Sequence, residues 1–258
     1  MVVLACQKRL VSLGSERMTL TEQVAVIAGA TGGIGQAIAI EVARHGAKLA
    51  LTGRSQAKLE VLANNIGKSV AATRCYPADL TRERDVERLS NEVLRDFGRV
   101  DILVHSAGIT SLGGIGQARS AGLDSQYAAN VRAPYLLTNA LLESLKKQKG
   151  QIVFINSTAG LRSRANLAQY AASKHALAAI ANSLRDEVNP DGVRVLSVFL
   201  GRTATPMQAE IYRAEGRDYR PELLLQPEDI ASMVVSALIL PRTAEVTEIK
   251  MRPLAKSY

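Results

Sequence analysis

The sequence has no tryptophan, two cysteines and only 4% aromatic residues in a chain of 258. Cys6 and Cys75 have no paired spacing, so no disulfide framework is predicted and a reducing, cytoplasmic compartment is expected. The three histidines, His45, His105 and His175, have no carboxylate or thiolate partners at ligand spacing, so no metal site is predicted. No apolar run reaches about eighteen residues, and therefore no membrane-spanning helix is expected.

The net charge is +8, from 32 Lys and Arg against 24 Asp and Glu. The basic residues are dispersed in runs of no more than two, and few aromatic side chains are available to stack on bases. A nucleic-acid partner is therefore not predicted. A solvated basic surface that helps to attract a polyanionic cofactor is the preferred interpretation.

The length and the 47% hydrophobic content suit one α/β domain. Residues 1–22 are predicted to be a flexible N-terminal appendage, with a partner-binding helix as the alternative, and residues 23–258 to be a single domain. Strand patterns alternate with helical patterns, which predicts a doubly wound parallel sheet covered by helices on both faces. A long helix is expected over about residues 124–149, and the irregular segment 207–225 is predicted to be a lid over the substrate.

A glycine-rich turn joins a first apolar strand to an amphipathic helix. Bare backbone N–H groups at the positive end of that helix suit a pyrophosphate, and glycines without Cβ atoms let the phosphates approach. Strand, turn and helix together predict a dinucleotide site. The turn residues expected to bind the dinucleotide are Gly29, Thr31, Gly33, Ile34 and Gly35.

The end of the second strand bears on the choice of coenzyme. NAD sites of this type place a carboxylate there for the ribose 2′-hydroxyl, whereas this chain has Gly53 followed by Arg54. A guanidinium pairs well with a 2′-phosphate, which favours NADP(H) over NAD(H). The alternative is that Arg54 is only a solvated loop charge.

Ser157 follows the apolar run 152–155, Tyr170 begins a long helical pattern, and Lys174 follows at i+4 on the same helix face. An ammonium beside a phenol favours the phenolate, so Tyr170 is expected to have a lowered pKa and to act as a general acid/base. With 7 Tyr, 10 Lys and 18 Ser in the chain, this spacing is expected by chance only about 0.02 times. A catalytic site is therefore the preferred interpretation.

With these motifs, the chain resembles the short-chain dehydrogenase/reductase family over about residues 22–253. The resemblance implies a Rossmann-type sheet of about seven strands and a homotetramer or homodimer. It implies a catalytic tetrad on Asn130, Ser157, Tyr170 and Lys174. Beyond the glycine turn, Arg54, Tyr170 and Lys174, it implies cofactor contacts at Asp79, Leu80, Ser106, Ala107, Gly108, Gly201, Thr203 and Thr205.

The chain departs from the family pattern at three places. His105-Ser106 replaces an Asn-Asn pair after the fourth strand, and Ser106 is expected to make a weaker form of the bond that braces the central sheet. Leu200-Gly201 replaces a Pro-Gly after the sixth strand. Gly32 stands where many NADP enzymes have a basic residue, so Arg54 is expected to bear the 2′-phosphate almost alone.

The resemblance implies an NADP(H)-dependent oxidoreductase that interconverts a carbonyl and an alcohol of a small molecule. Ser157 is expected to bind the substrate oxygen, Tyr170 to transfer the proton, Lys174 to lower the Tyr170 pKa and bind the nicotinamide ribose, and Asn130 to hold a relay water. Two alternatives remain open. One is a regulatory NADP(H)-binding protein with little catalysis, and the other is a reductase of 3-oxoacyl groups on an acidic carrier protein.

Overall fold

A computed structural model of the protein describes residues 19–67 and 72–255. Within these residues, seven strands alternate with helices along the chain. The strands are β1 (Val24–Ala28), β2 (Lys48–Gly53), β3 (Thr73–Pro77), β4 (Ile102–His105), β5 (Gln151–Ser157), β6 (Arg194–Leu200) and β7 (Glu248–Met251). The α-helices are α1 (Gly33–Arg44), α2 (Gln56–Ile66), α3 (Glu83–Phe97), α4 (Ser120–Tyr127), α5 (Ala133–Lys147), α6 (Ala168–Val188), α7 (Pro206–Ala214) and α8 (Pro227–Leu238).

The strands form one parallel sheet in the order β3-β2-β1-β4-β5-β6-β7. This confirms the predicted Rossmann-type sheet of about seven strands. The order reverses between β1 and β4, and the crevice outside the carboxyl ends of strands at such a switch point is where ligands bind in open α/β sheets. The described chain contains no helix long and apolar enough to cross a membrane.

Helices cover both faces of the sheet, and successive strand residues point to opposite faces, so the side chains on both faces are buried. Ala25 and Ile27 of β1 face one apolar layer with α1, α2 and α8, whereas Val26 and Ala28 face a second layer with α3, α5 and α6. The continuous apolar runs of the strands follow from this double burial. The rigid sheet between two packed layers holds its carboxyl edge in a fixed geometry.

The domain begins earlier than residue 23. Leu20 is only 1% exposed, packs in the layer beside α1, and its N–H donates to the His45 carbonyl at 2.8 Å. Leu20, which the sequence assigned to the appendage, therefore packs against the domain, whereas Thr19, Thr21 and Glu22 are exposed. The remainder of the predicted appendage, residues 1–18, lies outside the described residues.

The long helix expected over residues 124–149 is divided into α4, a π-helical turn at Ala128–Arg132 and α5. The π turn carries Asn130, and such single turns of wider hydrogen bonding occur frequently at functional sites. The segment 207–225 is also more regular than expected. It consists of α7, capped by the Thr205 hydroxyl, and a short 3-10 turn at Pro221–Leu223.

Candidate active site

The glycine turn wraps closely around the carboxyl ends of β1 and β4. A Cβ added to Gly29 would lie 2.5 Å from the Ala107 nitrogen, and one added to Gly35 would lie 2.2 Å from the Gly29 carbonyl oxygen. Gly29 also has a φ of 80°, which other residues rarely adopt. Helix α1 has no side-chain cap at Gly32. Its first N–H groups therefore have no side-chain acceptor from the cap, and a pyrophosphate would be stabilised at this end of the helix.

The far end of the crevice offers a pocket for the adenosine half of a dinucleotide. An open pocket of about 310 Å³ is lined by Arg54, Pro77, Ala78, Asp79, Arg82 and Asp85. Thr31 lies against the chain just before Arg54, because a Cβ on Gly53 would be 3.2 Å from the Thr31 hydroxyl oxygen. Leu80, which follows Asp79 in the chain, is 9% exposed. The residues present thus fit a dinucleotide, and the protein's own cationic side chains would lie at the adenosine end of it.

Arg82 was not singled out from the sequence, yet it shares this pocket with Arg54. Its Nε lies 3.6 Å from an Asp79 carboxylate oxygen. The Asp79 pKa is lowered mainly by the Thr81 hydroxyl and further by Arg82 and Arg54. A second guanidinium thus lines the pocket in which Arg54 was expected to bind a 2′-phosphate almost alone. The position of Arg82 soon after Asp79-Leu80 was the signal available in the sequence.

The predicted brace of the central sheet is present. The Ser106 hydroxyl donates to the Ala28 carbonyl at 2.7 Å, which joins the end of β4 to the end of β1. Beside it, His105 is 4% exposed, stacks on Phe154 with ring centroids 4.8 Å apart, and has Nε2 2.8 Å from the Thr138 hydroxyl. Burial lowers the pKa of His105 from 6.5 to about 3, so its ring is neutral at physiological pH.

The loop after β6 closes the same crevice from the other side. A Cβ on Gly33 would be 3.1 Å from the Thr205 methyl group, so this loop contacts the glycine turn directly. The Gly201 N–H donates to the Met251 carbonyl, and the Thr203 hydroxyl donates to the Gly201 carbonyl at 3.2 Å. Of the predicted cofactor residues in this loop, Thr205 thus lies next to the glycine turn, whereas Gly201 and Thr203 hold the loop's shape.

Ser157 and Tyr170 come together where β5 ends and α6 begins. Their side chains are hydrogen-bonded, and the Ser157 Oγ also accepts from the Ala159 N–H at 3.1 Å. The Tyr170 side chain remains partly exposed. Burial of the phenol raises the pKa of Tyr170, and the hydrogen bond from Ser157 opposes that rise. The sequence-based expectation of a lowered Tyr170 pKa is therefore not met in this structure.

Lys174 lies one helical turn further on and explains that difference. Its Nζ is 5.9 Å from the centroid of the Tyr170 ring and donates to the Ile155 carbonyl at 3.1 Å. The side chain is 5% exposed, and burial lowers its pKa from 10.5 to about 8. At this distance, and directed towards a carbonyl, the ammonium does not outweigh the burial of the phenol.

Asn130 belongs to the same cluster through its side chain. Its Oδ1 accepts from the Ile109 N–H at 2.8 Å, and its Nδ2 donates to the Ile109 carbonyl and to the Ser173 hydroxyl. The Ser173 hydroxyl in turn donates to the Tyr170 carbonyl at 2.7 Å. A Cβ on Gly108 would be 3.1 Å from Asn130 Oδ1 and 3.8 Å from Lys174 Nζ. Gly108 therefore leaves the space in front of both groups open.

The predicted lid is attached to the loop after β6. The Arg202 guanidinium donates to both Glu215 carboxylate oxygens at 2.8 Å and lies 4.6 Å from the centroid of the Tyr212 ring. Tyr212 packs edge-on against Tyr219, and the Tyr219 hydroxyl contacts the Thr205 carbonyl at 3.4 Å. These contacts order the lid residues against the crevice in the described conformation.

A family model described as short chain dehydrogenase matches residues 23–216. The chain belongs to the short-chain dehydrogenase family. Members of this family are oxidoreductases. One edge of the sheet holds the glycine turn, the switch-point crevice and the Ser157–Tyr170–Lys174 cluster. None of the residues 19–67 and 72–255 forms a group of three or more His, Cys, Asp or Glu side chains suited to a metal ion.

Individual relatives agree with this membership. An uncharacterized oxidoreductase from Staphylococcus saprophyticus is 32% identical over 237 residues, covering 91% of this chain and 99% of the relative. The structure of an alcohol dehydrogenase from Thermococcus sibiricus, complexed with 5-hydroxy-NADP, is 29% identical with a TM-score of 0.82, covering 92% of this chain and 99% of that one. A metagenomic short-chain oxidoreductase in complex with NADP is 31% identical with a TM-score of 0.79 at the same coverage.

The buried His105 should make folding stability depend on pH. Its folded pKa of about 3 lies below the unfolded value of 6.5, so the unfolded chain binds the proton first as pH falls. Stability should therefore fall by about 2 kcal/mol between pH 7 and pH 5 from this residue. In His105→Asn, the difference in unfolding free energy between these pH values, measured with urea, should shrink by that amount.

The control is His175→Asn, which removes an exposed histidine from α6 and should keep the wild-type pH dependence. Because the shorter side chain in His105→Asn can destabilise the core at every pH, the comparison is between pH values within each variant. An undiminished difference in His105→Asn would contradict the prediction.

Proposed function

We propose that the protein is an NADP(H)-dependent oxidoreductase that interconverts a carbonyl and an alcohol on a small-molecule substrate. The observation that carries this proposal is the hydrogen-bonded Ser157–Tyr170 pair beside the buried Lys174, at the same sheet edge as the glycine turn. A proton donor, an oxygen-binding hydroxyl and a dinucleotide crevice at one site match hydride transfer to a carbonyl.

The residues divide the chemistry between them. A nicotinamide coenzyme held in this crevice would supply or accept the hydride. In reduction, the Ser157 and Tyr170 hydroxyls hold the carbonyl oxygen as negative charge develops on it, and Tyr170 donates its proton to that oxygen. Lys174 presents a buried cation 5.9 Å from the centroid of the Tyr170 ring and is proposed to bind the nicotinamide ribose. Asn130 bonds to Ser173 and in this way anchors the helical turn that carries Tyr170. Asn130 is also proposed to hold the relay water.

The preference for NADP(H) over NAD(H) is part of the proposal. Arg54 and Arg82 line the adenosine pocket, and no carboxylate stands at the end of β2. NADP-complexed relatives support this choice, although a 3-ketoacyl-(acyl-carrier-protein) reductase from Brucella melitensis, 29% identical, was solved with NADH. The family fold alone accommodates both coenzymes, so the local charges are what favour NADP(H) here.

The same residues are proposed to work in a homo-oligomer, a dimer or tetramer, in a reducing cytoplasm. Leu123 and Tyr127 of α4 and Tyr135 of α5 are 40%, 50% and 53% exposed, and such a row of large apolar side chains suits burial by a second copy. Sedimentation velocity would give the assembly size, and a monomer at micromolar concentration would count against this part of the proposal.

Tyr170→Phe should reduce kcat by at least about 100-fold, because the variant lacks the proton that the reduction requires. The affinity for NADPH, measured by fluorescence titration, should stay within about twofold of wild type because the ring remains in place. Wild-type turnover in the variant would contradict the catalytic role. Tight coenzyme binding by wild type with no turnover over a broad carbonyl panel would favour the regulatory alternative instead.

Arg54→Ala should weaken NADPH binding by roughly 10- to 100-fold, the loss expected for a charge-assisted bond to the 2′-phosphate. NADH binding should change little, because NADH has no phosphate at that position. The control is Arg44→Ala, at the end of α1 that lies away from the glycine turn. It removes an exposed guanidinium and should leave both affinities unchanged. An equal loss for both coenzymes would show that Arg54 does not select between them.

A second candidate substrate class is a 3-oxoacyl group on an acidic carrier protein. Arg119, Arg162 and Arg164 lie exposed on the two loops beside the catalytic pair, and these loops are joined by the Gly113 N–H to Asn166 carbonyl bond at 3.0 Å. Charge reversal of the three arginines should then lower kcat/KM for a carrier-bound substrate, as high salt should for wild type. A free thioester analogue should be affected by neither change, and equal effects on both substrates would contradict carrier recognition.

A further inference from the structure

Three consecutive residues at the end of β5 contact the catalytic turn of α6. The Ile155 carbonyl accepts from Lys174 Nζ, the Asn156 side chain contacts the Lys174 backbone, and the Ser157 hydroxyl bonds Tyr170. Ser157, Tyr170 and Lys174 already have roles in the proposed reaction. Asn156 lies between Ile155 and Ser157 and has no role in the proposed reaction so far.

The Asn156 amide is nearly inaccessible and uses both of its polar atoms. It is 3% exposed, its Oδ1 accepts from the Ser157 N–H at 2.8 Å, and its Nδ2 donates to the Lys174 carbonyl at 3.1 Å. One side chain therefore connects the backbones of the residue that binds the substrate oxygen and the residue that supplies the cation. Buried amides satisfied in this way restrict the groups they bond to one arrangement.

Gly160 shows how closely this contact is packed. A Cβ added to Gly160 would lie 2.8 Å from Asn156 Oδ1 and 2.8 Å from the Lys174 carbonyl oxygen. Backbone and side chain therefore approach so closely that no methyl group fits between them. The chain after Ser157 holds the Asn156 amide against α6 from the second side.

We propose that Asn156 is a positioning residue that fixes the catalytic turn of α6 to the end of β5 and so sets the Ser157–Tyr170 hydrogen bond. It touches neither the reacting atoms nor the coenzyme site described above. The inference rests on the proposed oxidoreductase function. It adds to that function a residue that determines how the proton donor is tuned.

Loss of the amide should change the proton affinity of Tyr170 in a defined direction. The Ser157 hydroxyl opposes the rise in Tyr170 pKa that burial causes, so a longer or broken hydrogen bond should raise that pKa further. Lys174 is the charged group that faces Tyr170. The other elements packed against this turn present neutral groups to it, namely Gln126 of α4, Asn130 of the π turn, and Asn156 and Ser157 of β5.

The test compares wild type with Asn156→Ala, which removes both hydrogen bonds, and with Gly160→Ala, which forces the same contact apart from the other side. For both variants we expect kcat to fall about tenfold or more, while NADPH affinity stays within about twofold, because small misplacements of reacting groups are costly. The acid limb of the pH profile for alcohol oxidation should move to higher pH. Asn182→Ala, on the exposed face of α6, should match wild type in all three measurements.

A readout without turnover keeps the inference separate from the proposed function. The tyrosinate absorbance of each protein, minus that of the same protein carrying Tyr170→Phe, gives the Tyr170 titration directly. We expect this titration to move to higher pH in Asn156→Ala and Gly160→Ala. An inactive wild type would defeat the proposed function but leave this measurement valid. If the folded variants keep the wild-type Tyr170 titration and pH profile, the positioning role is overturned.

Discussion

Parallel pairing of β1, β4 and β5 is the constraint on which the site depends. The register aligns Ala28 with His105 and His105 with Phe154, so β1 and β4 end at the same level, and β5 continues for three residues beyond it to Ser157. The residues that follow β1 and β4 then turn away within a few ångströms of one another. The Ser106 hydroxyl joins two of these ends, and glycine at position 29 is what allows the approach. The dinucleotide crevice and the candidate catalytic cluster are neighbours because of this shared edge.

Burial dominates the electrostatics of this cluster. It raises the pKa of Tyr170 and lowers that of Lys174 to about 8, so each side chain is shifted towards its uncharged form. Neutral amides and hydroxyls surround them. The Ser157 bond to the phenol opposes the rise in the Tyr170 pKa that burial causes, and the Ile155 carbonyl accepts a hydrogen bond from the Lys174 ammonium. The geometry of the end of β5 is therefore also a determinant of chemistry.

The fold and the grouping of Ser157, Tyr170 and Lys174 could be predicted because their signals are local. Apolar runs between turns mark the strands, and Tyr170 and Lys174 at i+4 must share a helix face whatever surrounds them. The π turn could not be predicted, because one widened turn hardly changes the apolar spacing of the helix around it. Leu20 is a single apolar residue before β1 and has no periodic neighbours to indicate that it is buried. The contact of Asn156 with the Lys174 carbonyl depends on the distance between sheet and helix, which no spacing in the sequence encodes.

The pocket lined by Arg54 and Arg82 also contains the carboxylate of Asp79. Asp79 lies in the same pocket as Arg54 and would repel a 2′-phosphate if its charge were uncompensated. One of its oxygens accepts from both the Thr81 N–H and the Thr81 hydroxyl, and the other faces Arg82 at 3.6 Å. These partners stabilise the carboxylate and compensate its charge locally. The guanidinium of Arg54, whose residue is exposed, lines the same pocket and can reach an anionic ligand there. The pocket thus combines an ion-paired carboxylate with an exposed guanidinium, and the proposed preference for NADP(H) rests on this arrangement.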